Sequence, residues 1–336
     1  MRHLATLMLS LTVFGTAQAT AAEVNIYTTR EPKLVQPLLE AYSKSTGTKI
    51  NVVFLKDGMA ERIAAEGASS PADIMMAVDA GNLIDLVDKG LTQPVQSKVL
   101  KSAIPAELRA ADDQWFGLSW RARVIYAAKD LDIETIHYED LADPKYKGQV
   151  CIRSGQHPYN TALTAAYISH HGEEDTAKWL TGLRDNLARK PGGGDRDVAK
   201  DIVGGICKIG LANSYYVGLM RSGSGGPEQR PWGDGINVKL PTFTNGGTHV
   251  NINGVVLAKN APNRDEAVKL MEFLVSDEAQ KIYAGANYEY PVKKGVAVDP
   301  IIASFGEVTI DNLPLAEIVK NRKAATELID KVGFDN

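Results

Sequence analysis

Short apolar runs alternate along this chain with segments whose apolar positions recur at helical spacing. Val24-Asn25-Ile26-Tyr27 predicts a strand, and Lys33 to Ser43, with Leu34, Leu38, Leu39 and Tyr42 in phase, predicts a helix. Lys49 to Leu55 alternates as a second strand, and Met59 to Ala68 is helical. Ala72 to Ala77, introduced by Pro71, reads as a buried strand, and Asn82 to Lys89 as a helix ended by Gly90. Strands alternating with helices imply βαβ units around a largely parallel sheet.

The rhythm breaks at Trp115 to Ala128, a nearly continuous extended run of the kind a strand would make on leaving one lobe for another. Alternation resumes with a strand at Val150 to Arg153, helices at Thr161 to His170, Asp175 to Asn186 and Val198 to Ile206, and a strand at Ile209 to Ser214. Arg221 to Gly235, rich in Gly, Ser and Pro, reads as loop alone. Ile236 to Leu240 and Gly254 to Ala258 read as strands, and Asn263 to Ser276 as an amphipathic helix with Ala267, Leu270, Met271 and Leu274 inward. No internal repeat is evident. The fold class expected is α/β, with two lobes that are each a mixed, mostly parallel sheet flanked by helices. Residues 23–120 with about 243–295 form lobe 1, and about 121–242 with 296–336 form lobe 2. Two crossover strands act as hinge, and the ligand cleft lies between the lobes.

Residues 1–22 alter the destination of the chain. Met1-Arg2-His3, the apolar stretch Leu4 to Phe14, and small residues ending in Ala17-Gln18-Ala19 and Ala21-Ala22 make a secretory signal with an A-x-A cleavage site. The apolar stretch is shorter than the roughly 20 residues that span a bilayer, and no later segment comes close, so the protein is not expected to be membrane-embedded. With no Cys beside the cleavage site to take a lipid, the periplasm is the expected location. What remains exceeds one typical domain, which accords with two lobes. A hydrophobic fraction of 44%, a charged fraction of 23% and a net charge of −4 are ordinary, and they offer no basic surface for nucleic acid. Cys151 and Cys207 are read as one bridge in an oxidising compartment, with a pair of buried free thiols as the alternative.

Candidate chemistry gathers at predicted strand ends, where open α/β folds bind ligands. Tyr215-Tyr216 follows the strand at 209–214; within a strand the two would face opposite ways, one to the core and one to the surface. Both can meet one ligand only if the backbone turns there into a helix. Arg153 to Asn160 closes a strand and opens a helix, which brings Tyr159 to the same rim, unless it is a loop tyrosine stacked on its neighbours. Three phenolates suit a small, hard, highly charged cation, and trivalent iron matches their charge. Arg30, and Arg121 with Arg123 on one face of the extended run, offer guanidinium forks to an oxyanion; interlobe salt bridges are the other reading. The helix beginning near Pro32 adds free N–H groups. No nucleophile, base and orienter set appears, Ser154 and Ser214 lacking the Gly-x-Ser-x-Gly elbow. Pro191 to Arg196 lacks the Gly-Lys-Ser/Thr ending of a phosphate loop and reads as a turn.

Six stretches together give a resemblance: Tyr-Thr-Thr-Arg-Glu-Pro at 27–32, Trp-Arg-Ala-Arg-Val at 120–124, Cys-Ile-Arg-Ser-Gly with Tyr-Asn within 151–160, Asn-Ser-Tyr-Tyr-Val-Gly at 213–218, Gly-Thr-His-Val-Asn-Ile-Asn-Gly at 247–254 and Tyr-Glu-Tyr-Pro-Val at 288–292. Over essentially the whole mature chain the sequence resembles the bacterial periplasmic ferric-binding proteins, which are transferrin-like, two-lobed solute-binding proteins of ABC iron transporters. The resemblance implies Tyr159, Tyr215 and Tyr216 as iron-ligating phenolates, an exogenous anion such as carbonate or bicarbonate, delivery of Fe3+ to an inner-membrane ABC permease, and no catalysis. Several relatives carry a His-Tyr pair after the first-lobe arginine; Glu31-Pro32 stands there in this chain. That departure implies three tyrosines plus anion or water, with Arg30, Arg121 and Arg123 around them and Tyr27 or Glu31 as possible first-lobe contacts. Fe2+ is an alternative cargo, and a monomer is expected. The rival readings are a binder of a small organic or anionic solute on the same scaffold, and an exported enzyme.

Overall fold

The structure, a computed structural model, describes residues 22–336. The secretory signal read over 1–22 therefore lies, but for its last residue, outside the described residues. The chain begins with β1 (Glu23–Thr28), α1 (Pro32–Thr46), β2 (Lys49–Phe54), α2 (Met59–Glu66), β3 (Ile74–Ala77) and α3 (Ala80–Asp88), in the predicted alternation. Local chemistry sets these limits. Gly47 at φ 75° supplies the left-handed turn that ends α1, and the Asp79 side chain accepts the Gly81 N–H to start α3.

After β4 (Thr92–Gln93) and α4 (Lys98–Ala103) comes β5 (Phe116–Ala128), a strand of 13 residues. Then follow β6 (Val150–Cys151), α5 (Pro158–Asp185), α6 (Asp195–Val203), β7 (Ile209–Asn213), α7 (Tyr215–Ser222), α8 (Arg230–Asp234), β8 (Ile236–Lys239) and β9 (Val250–Ala258). The last part carries α9 (Arg264–Leu274), α10 (Asp277–Asn287), β10 (Tyr290–Pro291), α11 (Pro300–Ala303), α12 (Leu315–Lys320) and α13 (Arg322–Lys331). Among the described residues no helix is long and apolar enough to cross a membrane.

Hydrogen-bonded strands run in the order β2-β1-β3-β9-β5-β7-β6. β1 is parallel to β2 and β3, whereas β9 lies antiparallel between β3 and β5. β5 pairs with β9 over Phe116–Ala122 and with β7 over Arg123–Ala127, so one strand serves both halves of this two-lobed α/β fold. Inward-facing apolar residues fill both halves, and β3, β7 and most of β9 are buried throughout, as strands covered on both faces must be.

One reading changes. Arg221 to Gly235 is not loop alone: α7 runs into it and α8 lies within it, because Arg221 ties the segment together by donating to the Gly233 and Ile236 carbonyls at 2.9 and 3.1 Å. Tertiary bonding of this kind overrides low helix propensity. The helices read at 161–170 and 175–186 follow one another directly as α5, and they are two as read: Gly172, at φ 77° and ψ 170°, breaks the helical geometry between them. Cys151 and Cys207 are joined in a disulfide, which ties β6 to the entry of β7.

Candidate functional site

The strand-to-helix turn that the tyrosine pair needs is present. β7 stops at Asn213 and α7 starts at Tyr215 with only Ser214 between, so the two adjacent side chains leave a helix instead of a strand and their rings lie 4.1 Å apart. Tyr159 stands in the first turn of α5, after Pro158, where a proline costs no hydrogen bond. Its hydroxyl comes to 3.3 Å from that of Tyr215. Three phenols thus converge from two helix N-termini, the end of a helix that carries partial positive charge.

Tyr159 and Tyr216 line a cleft of about 710 Å³ together with Arg153 and His157, and Thr29, Glu31, Val78 and Asp85 come from the opposite wall. A hollow of about 690 Å³ between α5 and α13 is nearly as large, but Glu173, Lys178 and Leu328 line it and no phenols converge there. Chemistry, not size, singles out the cleft. Burial, then the neighbouring phenols, pushes the Tyr215 hydroxyl well above its ordinary value, and burial with the Tyr159 phenol pushes Tyr216 up as well. Both are neutral at pH 7.

Guanidinium groups surround the phenols. Arg121 and Arg153 lie over the Tyr159 ring with their central carbons 5.3 and 5.2 Å from its centre, and Arg196 lies 4.9 Å from that of Tyr216. Burial and the Arg153 charge lower the His157 imidazole to about 3, so this ring is neutral; its Nδ1 accepts the Tyr159 N–H at 3.3 Å.

The structure separates the three arginines singled out in the sequence. Arg30 makes a bidentate pair with Glu289 at 3.0 and 2.9 Å; the carboxylate is fully buried and also accepts from Ser119 and Asn253. Burial alone would lower Arg30, yet Glu289 holds it above its ordinary value. Arg123 pairs with buried Asp195 at 2.8 Å and donates to Asn160 and Asn213. Arg121 faces no carboxylate: one nitrogen donates to the Val78 carbonyl, and Nη1 is buried without a partner. Arg121, Tyr159, Asn213 and His249 line a small cavity behind the phenols, in which the Asn213 amide nitrogen and His249 Nδ1 are also unpartnered.

Tyr27 is not brought to this group. Its hydroxyl donates to both oxygens of Glu66, and Arg62 lies over its ring. Glu31 is exposed on the cleft wall, where it caps α1 without a side-chain bond. Sequence reasoning assigned no role to Asp195, Glu289, Arg153 or Arg196. Arg153 opens the same segment as Tyr159 and stands at a strand end, so its position was a usable signal. Glu289 lies in the Tyr-Glu-Tyr-Pro-Val stretch that helps carry the resemblance, but its role has no local signal, because only a fold that carries residue 289 back to residue 30 makes it a partner.

A family model described as bacterial extracellular solute-binding protein matches residues 69–303. Iron uptake protein A1 of Synechocystis sp. is 40% identical over 93% of this chain and 87% of its own length. Among solved structures, a Bordetella ferric binding protein is 61% identical, with a TM-score of 0.88 over 94% of this chain and 100% of that one. A Trichodesmium protein solved in complex with iron and citrate ligands is 41% identical, with a TM-score of 0.87 over 93% and 100%. The chain therefore belongs to the bacterial extracellular solute-binding proteins, a family of binders and not of enzymes.

Proposed function

We propose that this protein captures ferric iron in the periplasm and delivers it to an ABC permease of the inner membrane. The observation that carries this reading is the grouping of Tyr159, Tyr215 and Tyr216: Tyr159 and Tyr216 line the cleft, and the Tyr215 hydroxyl lies 3.3 Å from that of Tyr159. Phenolates are hard oxygen donors, and a trivalent cation offsets the cost of ionising them in a buried site. Three phenolates balance its three charges, which leaves the Arg121 charge to be met by an exogenous anion such as carbonate. Arg121 is the anion's partner in this reading because Arg30 and Arg123 already face buried carboxylates. Those two act at one remove, holding the strands on which the site is built. The iron uptake protein of Synechocystis, the Bordetella ferric binding protein and the iron and citrate of the Trichodesmium protein support both cargo and accompanying anion.

The lobes in this reading are 23–120 with about 243–295, and about 121–242 with 296–336. They close on the metal by bending where β5 and β9 cross between them, and the protein works as a monomer. Glu31 on the far wall is a first-lobe carboxylate available to a closed site. Phenolate-to-iron charge transfer gives a visible band. Ferric salt and bicarbonate added to the purified protein should develop that colour, and Tyr215→Phe should weaken it; a colourless wild-type mixture overturns the reading. Anaerobic titration with ferrous salt separates the two oxidation states.

A further inference from the structure

The loop that delivers Tyr159 to the cleft is held from the far end of the sequence. β6 ends at Cys151 and α5 begins at Pro158, and the backbone between them bonds to one carboxylate. Asp335 Oδ1 accepts the Gly155 N–H at 2.7 Å, and its Oδ2 accepts the Ser154 hydroxyl at 2.7 Å and the Gln156 N–H at 3.2 Å. Gln156 returns the contact by donating through Nε2 to Asp330 at 2.7 Å and to the Thr326 carbonyl at 3.0 Å. The fit is steric as well as polar: a Cβ on Gly155 would come within 2.8 Å of the Phe334 ring and 2.9 Å of Ile329. Arg184 in α5 fixes the same turn by donating to the Val332 carbonyl at 2.6 Å.

We propose that Asp335 is a positioning residue for the metal site. It touches no phenol, but it fixes residues 154–156 and thereby the place of the Tyr159 hydroxyl relative to Tyr215. The inference rests on the reading of Tyr159 as an iron ligand. A carboxylate suits the task because its two oxygens accept three bonds and its charge strengthens each of them. An amide offers a single accepting oxygen and turns an N–H toward backbone N–H groups. Groups that orient metal ligands typically change affinity about 10- to 100-fold when they are lost.

The test compares wild type, Asp335→Asn, Asp335→Glu and Leu270→Ala, each loaded with ferric salt and bicarbonate. Leu270 is buried on α9, which takes no part in holding the loop, so its truncation reports what destabilisation alone does. Three readouts apply: the phenolate-to-iron band, the rate of iron release to a competing chelator, and amide hydrogen exchange over 154–160. Asp335→Asn should release iron about 10- to 100-fold faster, shift the band and raise exchange in that loop. Asp335→Glu should recover much of the loss, and Leu270→Ala should lower Tm without faster release. Wild-type release kinetics in Asp335→Asn, or equal acceleration in Leu270→Ala, overturns the positioning role while leaving the tyrosine site standing. A wild type that develops no band removes the site itself, and the positioning role falls with it.

Discussion

At the scale of single residues, the site is distinguished by which charges are already paired. Arg30 and Arg121 belong to one basic set in the sequence, but only Arg30 has a buried carboxylate opposite it. Substitution should therefore separate them. Arg30→Gln leaves Glu289 buried without its cation and should cost about 3–5 kcal/mol of stability, read as a lower chemical-denaturation midpoint. Arg121→Gln removes no ion pair, so its main effect should be loss of the bicarbonate dependence of iron binding, measured by titration with and without added anion. The raised phenols make a second prediction, whose sign follows from their protonation. Phenols are neutral near pH 7 and burial raises Tyr215 and Tyr216 further, so on the proposed ligation iron expels their protons and affinity should fall as pH falls. With three phenols the limit is about three decades per pH unit, and proton release during calorimetry in buffers of different ionisation enthalpy measures the slope. Much of this was legible beforehand: Tyr159, Tyr215 and Tyr216 stand at predicted strand ends, a one-dimensional signal. The partners Asp195 and Glu289 were not, since burial and long-range pairing leave no local pattern.

Among the elements, α7 governs the tyrosine pair. It carries Tyr215 and Tyr216 in its first turn, and one turn further Gly218 lies so close to the Tyr288 side chain that a Cβ would overlap it. Tyr288 itself holds a left-handed conformation, φ 58°, at the end of α10, so it cannot retreat freely. Gly218→Ala should push α7 off this support at a cost of about 1–3 kcal/mol. It should also weaken iron binding beyond what a surface change of equal stability cost does, which chelator competition would show. Sequence periodicity located β1 to α3 closely because their apolar spacing is regular. It failed at Arg221 to Gly235, where Gly and Pro dominate locally and the short helices persist only through bonds such as those of Arg221 to Gly233 and Ile236. It divided α5 in two for a sound reason, since Gly172 does interrupt the helix.

Taken as a whole, the molecule is organised around β5, whose 13 residues are shared between two sets of strands. The long extended run in the sequence foretold a crossover, but not that β9, the second one, would insert between β3 and β5. This insertion decides the order in which the chain can fold. The strands formed from the first 128 residues lack their central neighbour until residues 250–258 exist, and the Arg30–Glu289 pair closes only later still. Such distant closure makes folding slow and leaves the early part of the chain without a stable structure of its own. A fragment of residues 23–128 should accordingly show no cooperative thermal transition, whereas the chain from 23 to 336 should. A polypeptide that stays unfolded until it is nearly complete can still be threaded through a membrane pore.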